Sequence, residues 1–356
     1  MKRLTWIILI IAIIAGAVFL FGNGSNDISK NNPIKIGVIL PLSGELAFLG
    51  EEIKKGIDVA VGELKNQGVF ISVIYEDDQS LSLTATVNAA NKLLNVDNID
   101  VGMTVLVEES RPIAPMFNTK KIPLLVLWDS NRFIKEAGEY IFSNGFSTEK
   151  AGELMAGYAY NTLKFKNIAV ISHIDPWAEI ISESFAGKFK NFGCNVIYNE
   201  KFQIDVTDYR TAIVKIKQLN PDAVYFPLLP MNSVRFLTQA KQLGLETAML
   251  TGDVFIQDVI SESGDSAEGV YFTNIFSNNT DKMIAKYKNQ YGKDPFDPAL
   301  FSFGYDGVMN IAEALRISPD SLKDGLFAIF GKSRSADRIE KIYKVINKRP
   351  AEVQTE

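Results

Sequence analysis

Ile34–Gly68 reads IKIGVILPLSGELAFLGEEIKKGIDVAVGELKNQG, and this stretch decides the fold class. An apolar run from Ile34 to Leu40 predicts a buried strand, and the turn Pro41–Gly44 separates it from a helical pattern. Apolar residues of that pattern recur at the spacing of one helix face: Ile53, Ile57, Ala60, Val61 and Leu64. A buried strand that feeds an amphipathic helix through a short turn is the opening unit of an α/β sheet. Ligands of such sheets bind beyond the carboxyl ends of the strands, so Pro41–Gly44 is the first candidate for a functional turn.

The same alternation of strand and helix continues along the chain and restarts after a long helix that begins near Thr148. This predicts two Rossmann-like, doubly wound parallel-sheet lobes joined by a hinge. We assign residues 33–144 and 275–325 to lobe 1, and residues 145–274 and 326–356 to lobe 2. Two lobes with several chain crossings form a clamp that closes around a small ligand.

The first 32 residues differ from the rest. Lys2 and Arg3 precede a nearly continuous apolar segment, 4–22, followed by a polar linker up to residue 32. The segment is either a secretory signal or a membrane anchor, and its length of roughly 18 residues favours an uncleaved anchor. Because positively charged flanks stay inside, the rest of the chain is expected outside the cytoplasm.

Composition excludes several classes of function. The net charge is −5 and no long basic run occurs, which argues against nucleic acid as a partner. One cysteine, Cys194, and one histidine, His173, are too few for an intramolecular disulfide or an ordinary zinc site. The chain also lacks a G-x-S-x-G elbow, a P-loop and a dinucleotide fingerprint. We therefore expect a protein that is not an enzyme and that needs no metal or cofactor.

Six short motifs follow one another in a characteristic order between about residue 34 and residue 316. They are Leu42-Ser43-Gly44 with Phe48, Gly50, Gly56 and Ala60; Asp77-Asp78-Gln79-Ser80; Lys121-Ile122-Pro123-Leu124; Asp175-Pro176-Trp177; Ala267-Glu268-Gly269-Val270; and Gly304-Tyr305-Asp306-Gly307-Val308. In this order they resemble the substrate-binding proteins of branched-chain amino acid ABC transporters, which have the type I periplasmic-binding fold. The resemblance implies a small-molecule ligand in a cleft between the lobes and its delivery to a membrane permease.

The resemblance also implies candidate ligand-binding residues. In that family the ligand's α-carboxylate meets hydroxyls and backbone N–H groups of the first lobe, and its ammonium meets an acid of the second lobe. Asp253 falls at the position of that acid, and Trp177 falls where an aromatic side chain packs on the ligand. Asp129 and Ser130 fall in a first-lobe loop that supplies polar contacts. The structural alternatives are a surface turn for Asp253, core packing for Trp177, and helix capping or turn formation for Asp129 and Ser130.

Two features depart from the family pattern. The loop after the third predicted strand, 104–110, carries apolar residues and Glu108-Glu109 in place of serines. Acids at a helix start are ordinary, but a Glu108 that faces the cleft would repel a carboxylate and attract a cation. The hydroxyls left for the first lobe are those of Ser43, Thr104, Ser110 and Ser130. The second departure is the short C-terminal part of the chain. Residues 341–348 are predicted as its last strand, and a hairpin of the family is predicted to be deleted.

Two functions remain open for such a fold. The first is ligand capture for an ABC permease. The second is a ligand-sensing ectodomain that signals to another membrane protein, since no signalling domain is attached in this chain.

Overall fold

A computed structural model describes residues 33–44, 46–274, 280–335 and 341–353. The segment 1–32, with the predicted signal or anchor, lies outside these residues. Within the described ranges, no helix has both the length and the apolar character needed to cross a membrane.

Strands and helices alternate along most of the described chain. The strands are β1 (Ile34–Leu40), β2 (Ile71–Asp77), β3 (Val101–Thr104), β4 (Leu124–Val126), β5 (Asp129–Ser130), β6 (Ile141–Ser143), β7 (Phe146–Ser147), β8 (Asn167–His173), β9 (Asn195–Phe202), β10 (Ala223–Tyr225), β11 (Ala248–Thr251), β12 (Tyr271–Asn274), β13 (Lys341–Ile346) and β14 (Arg349–Glu352). The helices are α1 (Ala47–Asn66), α2 (Leu83–Lys92), α3 (Val107–Lys120), α4 (Phe133–Glu136), α5 (Thr148–Asn161), α6 (Pro176–Asn191), α7 (Arg210–Leu219), α8 (Pro230–Gln242), α9 (Gln257–Ser263), α10 (Thr280–Tyr291), α11 (Pro298–Ile317) and α12 (Leu322–Phe330).

Two main sheets repeat one parallel strand order. The first sheet runs β2-β1-β3-β4-β6, and the second contains β9-β8-β10-β11-β12 in the corresponding order. In the first sheet β2 lies outside β1, and in the second sheet β9 lies outside β8. The strand order therefore reverses beside β1 and beside β8. The prediction of an α/β protein with two parallel-sheet lobes is confirmed. The reversal creates a crevice at the carboxyl ends of the strands, where ligands of open α/β sheets bind.

The first core forms where α1 covers β1. The predicted strand Ile34–Leu40 has the observed bounds, and the predicted helix face of Ile53, Ile57 and Ala60 is fully buried. Helix α11 packs against α1 so closely that a Cβ on Gly56 would lie 2.0 Å from the carbonyl oxygen of Phe301. This packing ties the late helix α11 to the first lobe.

The end of the chain corrects one prediction. The sequence predicts a single last strand over 341–348 and a deleted hairpin, whereas β13 and β14 form an antiparallel hairpin that extends the second sheet from β12. Asn347 and Lys348 join the two strands with φ values of 52° and 61°. Two left-handed residues make the favoured two-residue hairpin turn, but Lys348 stands where glycine is the usual signal. A hairpin is therefore present, and its turn lacks the glycine that would have predicted it from the sequence.

Helix α12 belongs to the first core, although the predicted limit between the lobes at residue 325 passes through it. Leu326 and Phe330 are buried in that core, and the Phe330 ring lies 6.2 Å from the ring of Phe142. Ser335 forms a bridge with Ser143 at the end of β6. In the described ranges, the chain next meets the second sheet at β13. The predicted lobe limits otherwise stay a prediction.

Candidate functional site

Four acidic residues follow strand ends or open helices at the edge where both sheets end. Asp129 follows β4, Glu108 lies in the first turn of α3, Asp175 follows β8, and Asp253 follows β11. Burial raises the pKa of Asp129 and of Asp175; the charges of Asp253 and Glu108 add to the rise at Asp129, and that of Glu108 adds to the rise at Asp175. Acids from both sheets therefore lie around one space between the lobes.

Asp129 is anchored to the start of helix α3. Its Oδ1 accepts a hydrogen bond of 2.7 Å from the backbone N–H of Val107, the first residue of that helix. Burial raises the pKa of Asp129 to about 7, and the nearby charges of Asp253 and Glu108 act in the same direction. The hydrogen bond from Val107 opposes this rise because it favours the ionised form.

Glu108 keeps 39% of its side chain exposed and forms an ion pair with Arg111 across 2.9 Å. The pair lies one helical turn apart on the solvent side of α3 and is therefore weak. The charge of Glu108 adds to the effect of burial in raising the pKa of Asp129 in lobe 1 and of Asp175 in lobe 2, so Glu108 lies near both acids.

Trp177 and Asp253 form a joined unit in the second lobe. The indole Nε1 donates a hydrogen bond of 3.1 Å to Asp253 Oδ1, and Asp253 is only 6% exposed. Burial raises the pKa of Asp253 to about 6, against the effect of the hydrogen bond from Trp177. Gly252 gives the indole room, since a Cβ there would lie 3.2 Å from the Trp177 ring. The half-buried ring and the carboxylate thus present one amphipathic face.

Asp175 is a further acid that we did not predict as a site residue. It caps helix α6, with Oδ1 accepting the N–H of Ala178 at 3.0 Å. Its Oδ2 is buried and has no hydrogen-bond partner among the described residues. Burial raises the pKa of Asp175. The signal for its position was the Asp-Pro pair, since aspartate before an N-terminal proline is a typical helix start.

His173 does not neutralise Asp175, although its Nδ1 lies 4.0 Å from Asp175 Oδ2. That Nδ1 accepts the backbone N–H of Leu229 at 3.3 Å, and Nε2 lies 3.2 Å from the hydroxyl of Tyr209. Burial lowers the pKa of His173 to about 4. The histidine is therefore an uncharged part of the second core, in keeping with its lack of catalytic partners.

Two of the predicted hydroxyls of the first lobe, those of Thr104 and Ser110, make contacts within the protein. Thr104 is fully buried and donates to Glu109 Oε2 at 3.2 Å, and Ser110 donates to the carbonyl of Val107 at 2.6 Å. Ser43 donates its backbone N–H to Asp77 Oδ1 and accepts at its carbonyl from Ser80. Ser130 is only 4% exposed.

The structure thus brings Glu108, Asp129, Trp177 and Asp253 together, while Thr104 and Ser110 are engaged inside the protein. The role of each residue in binding stays a prediction. Among the residues that the structure describes, no group of three or more His, Cys, Asp or Glu side chains is arranged to hold a metal ion.

Three comparisons with known proteins bear on this arrangement. A Leu/Ile/Val-binding protein homologue from Brucella abortus (strain 2308) is 23% identical over 303 residues, which cover 79% of this chain and 77% of that protein. A leucine-binding protein from Thermotoga maritima has a similar structure, with a TM-score of 0.79, 23% identity, and coverage of 90% of this chain and 98% of that one.

A solute-binding protein of an ABC transporter from Rhodopseudomonas palustris, solved with 3,4-dihydroxybenzoic acid, also has this fold. Its TM-score is 0.76 at 22% identity, over 88% of this chain and 93% of that one. The model of the periplasmic binding protein family matches residues 33–326. That match confirms the predicted family and a binding protein in place of an enzyme. The chain belongs to the periplasmic binding protein family.

Proposed function

We propose that this chain is the extracytoplasmic solute-binding component of an ABC transporter. It captures a small amine-bearing ligand between its lobes and delivers it to the transporter's permease. Family membership and the ABC-transporter relatives support the class of function. The residues proposed to contact or shape the ligand site are Ser43, Thr104, Glu108, Asp129, Ser130, Trp177 and Asp253, with Asp175 added from its position.

The observation that supports an amine ligand is that acidic residues lie on both sides of the cleft. Asp129 and Glu108 lie on one side and Asp253 lies on the other; burial raises the pKa of Asp129, and repulsion from the charges of Asp253 and Glu108 raises it further. A cationic ligand removes that repulsion and forms charge-assisted hydrogen bonds with the carboxylates. The indole of Trp177, held by Asp253, offers a ring face on which an ammonium group or an apolar chain packs.

A ligand carboxylate has less to gain. The N–H groups at a helix start are an ordinary anion site, but here the N–H groups of Leu106 and Val107 already bind Glu109 and Asp129. We therefore propose an amine whose positive charge is not balanced by a carboxylate, or an amino acid with an additional basic group. Such a ligand differs in charge from the 3,4-dihydroxybenzoic acid with which the Rhodopseudomonas palustris protein was solved.

The same charges supply a closing mechanism. In the empty protein, repulsion between Asp253 and the acids of lobe 1 favours separated lobes. A bound cation attracts both sides, so the closed state gains the ligand contacts of both lobes and becomes the favoured one.

A thermal-shift screen of residues 30–356 tests the proposal. The panel contains arginine, ornithine, agmatine, putrescine and spermidine, with leucine, isoleucine and benzoate as the carboxylate set. A true ligand at 100 times its dissociation constant stabilises the protein by about 2.7 kcal/mol. We expect stabilisation by at least one cationic amine. Stabilisation by leucine, isoleucine or benzoate with no response to any amine would contradict the proposed ligand class.

The second candidate function is a ligand-sensing ectodomain of the same fold. The apolar segment 4–22 favours it as much as transport, because a tether outside the cytoplasm suits both. Affinity purification of the full-length chain from its own membranes separates them: an ABC permease as the partner supports capture for transport, and a kinase or receptor supports sensing.

A further inference from the structure

Two acids beneath the cleft face each other in the protein interior. Asp78 directly follows β2 and Glu109 lies in the first turn of α3, and they are 0% and 2% exposed. Their carboxyl groups lie close enough for a hydrogen bond between them. Ionised carboxylates only accept hydrogen bonds, so this contact requires a proton on one of the two.

The other hydrogen bonds of the pair indicate which oxygens share the proton. Asp78 Oδ1 accepts the N–H of Leu81 at 2.7 Å. Glu109 Oε2 accepts the N–H of Leu106 at 3.1 Å and the hydroxyl of Thr104 at 3.2 Å. The remaining oxygens, Asp78 Oδ2 and Glu109 Oε1, are buried, and no donor among the described residues reaches either of them. One proton between these two oxygens would satisfy both.

Glu109 also connects the pair to the candidate site. Its Oε2 holds both ends of the short segment Thr104–Leu106, and the next residue, Val107, donates its N–H to Asp129. Glu108, the remaining acid of this loop, lies between Val107 and Glu109 in the chain. A displacement of Glu109 would therefore move the backbone that carries Glu108 and the Val107 N–H that binds Asp129.

The surrounding charges keep the pair singly protonated near neutral pH. Asp77 precedes Asp78, and hydrogen bonds from the Ser43 side chain and from the N–H groups of Gln79 and Leu42 hold its pKa below the usual range, against the effect of burial. Its negative charge acts on Asp78. Burial, followed by the charge of Asp78, raises the pKa of Glu109 to about 8. On the solvent side of α3, Glu108 is paired with Arg111.

We propose that Asp78 and Glu109 share one proton and act together as a positioning pair for the loop Thr104–Glu108. Loss of that proton forces two buried carboxylates apart and releases the loop, and with it Asp129. The functional meaning of the loop rests on the proposed ligand site, but the pair itself is tested without any ligand.

The test compares the wild-type chain with Glu109→Gln, whose amide donates to Asp78 without a titrating proton. Urea unfolding is measured from pH 5 to pH 9, together with the ¹⁵N shift of the Leu106 amide. We expect the wild-type folding constant to fall by up to about tenfold per pH unit relative to Glu109→Gln between pH 5 and 8. The Leu106 signal should titrate near pH 8 in the wild type and stay flat in the variant.

Asp78→Asn tests the pair from the other side. Its amide donates a hydrogen bond to Glu109, so this variant also has no shared proton to lose. Glu51→Gln, on the exposed side of α1, is the matched control and should keep the wild-type profile. Parallel pH profiles for the wild type and both pair variants, or a Leu106 signal without a titration, would overturn the proposal. Failure of the ligand screen would leave this result unaffected.

Discussion

Asp129 Oδ1 accepts a hydrogen bond of 2.7 Å from the backbone N–H of Val107, the first residue of helix α3. The first N–H groups of a helix have no partner within the helix and attract anions. In this chain the protein's own carboxylate takes that position, and Glu109 takes the N–H of Leu106 beside it. The first lobe therefore places its own carboxylates at a helix start, where an anionic ligand would otherwise bind.

Removing the Asp129 side chain should change the preferred charge of the ligand. In Asp129→Ala the N–H of Val107 becomes available and one negative charge is lost. We expect affinity for the cationic amine found in the screen to fall by about 1.5–3 kcal/mol, the range for a hydrogen bond to a charged group. A carboxylate such as isoleucine should bind more strongly than to the wild type. Titration calorimetry measures both changes.

Asp129→Asn is the matched control, because its carbonyl oxygen still accepts from Val107. It should lose affinity for the amine without gaining affinity for isoleucine. Wild-type amine binding by both variants would place Asp129 outside the ligand site.

Asp253→Asn should weaken amine binding through the second lobe. The asparagine oxygen keeps the hydrogen bond from Trp177, so the indole should stay in place while the charge is removed. The expected loss is again about 1.5–3 kcal/mol, measured by calorimetry at pH 8. Asp205→Asn, an exposed position in the same lobe, should bind as the wild type does. Equal affinities for the two variants would show that Asp253 takes no part in binding.

Much of the fold follows from local patterns in the sequence. The run Ile34–Leu40 and the spacing from Ile53 to Leu64 gave β1 and the buried face of α1, because a buried strand and an amphipathic helix have different periods. Parallel strands end at one edge of a sheet, and the family resemblance implies ligand contacts from residues just past β4 and β11. Asp129 and Asp253 lie there, and the structure adds the charge interaction between them.

Other features depend on side-chain directions that no local pattern contains. Asp78 and Glu109 are 31 positions apart, and their contact requires the exit of β2 to lie against the start of α3. The local sequence identifies Glu109 only as an acid at a helix start. Helix α12 was missed altogether, since its Leu326 and Phe330 pack on the first core from a segment without a long apolar period.

Helix packing gives a prediction on stability. Gly56→Ala should destabilise the protein by about 1–3 kcal/mol, because the added Cβ would lie 2.0 Å from the Phe301 carbonyl oxygen and α1 would have to move away from α11. Gly62→Ala in the same helix is the control, since no atom lies within 4 Å of its Cβ. That variant should gain up to about 1 kcal/mol from helix propensity. Urea denaturation of both proteins checks the opposite signs, and similar midpoints would contradict the close contact of α1 with α11.

Amine binding should strengthen as the pH rises from 5 to 8. Burial raises the pKa of Asp129 to about 7 and that of Asp253 to about 6, so both are partly protonated in the empty protein below neutral pH. Because these values lie above those of the unfolded chain, the two acids lower the stability of the empty protein as the pH rises through about 4 to 7.

A bound cation favours the ionised carboxylates, and an aliphatic amine stays charged over this range. The affinity should therefore rise by up to about tenfold per pH unit for each titrating acid, with release of protons on binding. Calorimetry in buffers of different ionisation enthalpy measures that release, and proton uptake or a constant affinity would contradict an amine held between Asp129 and Asp253.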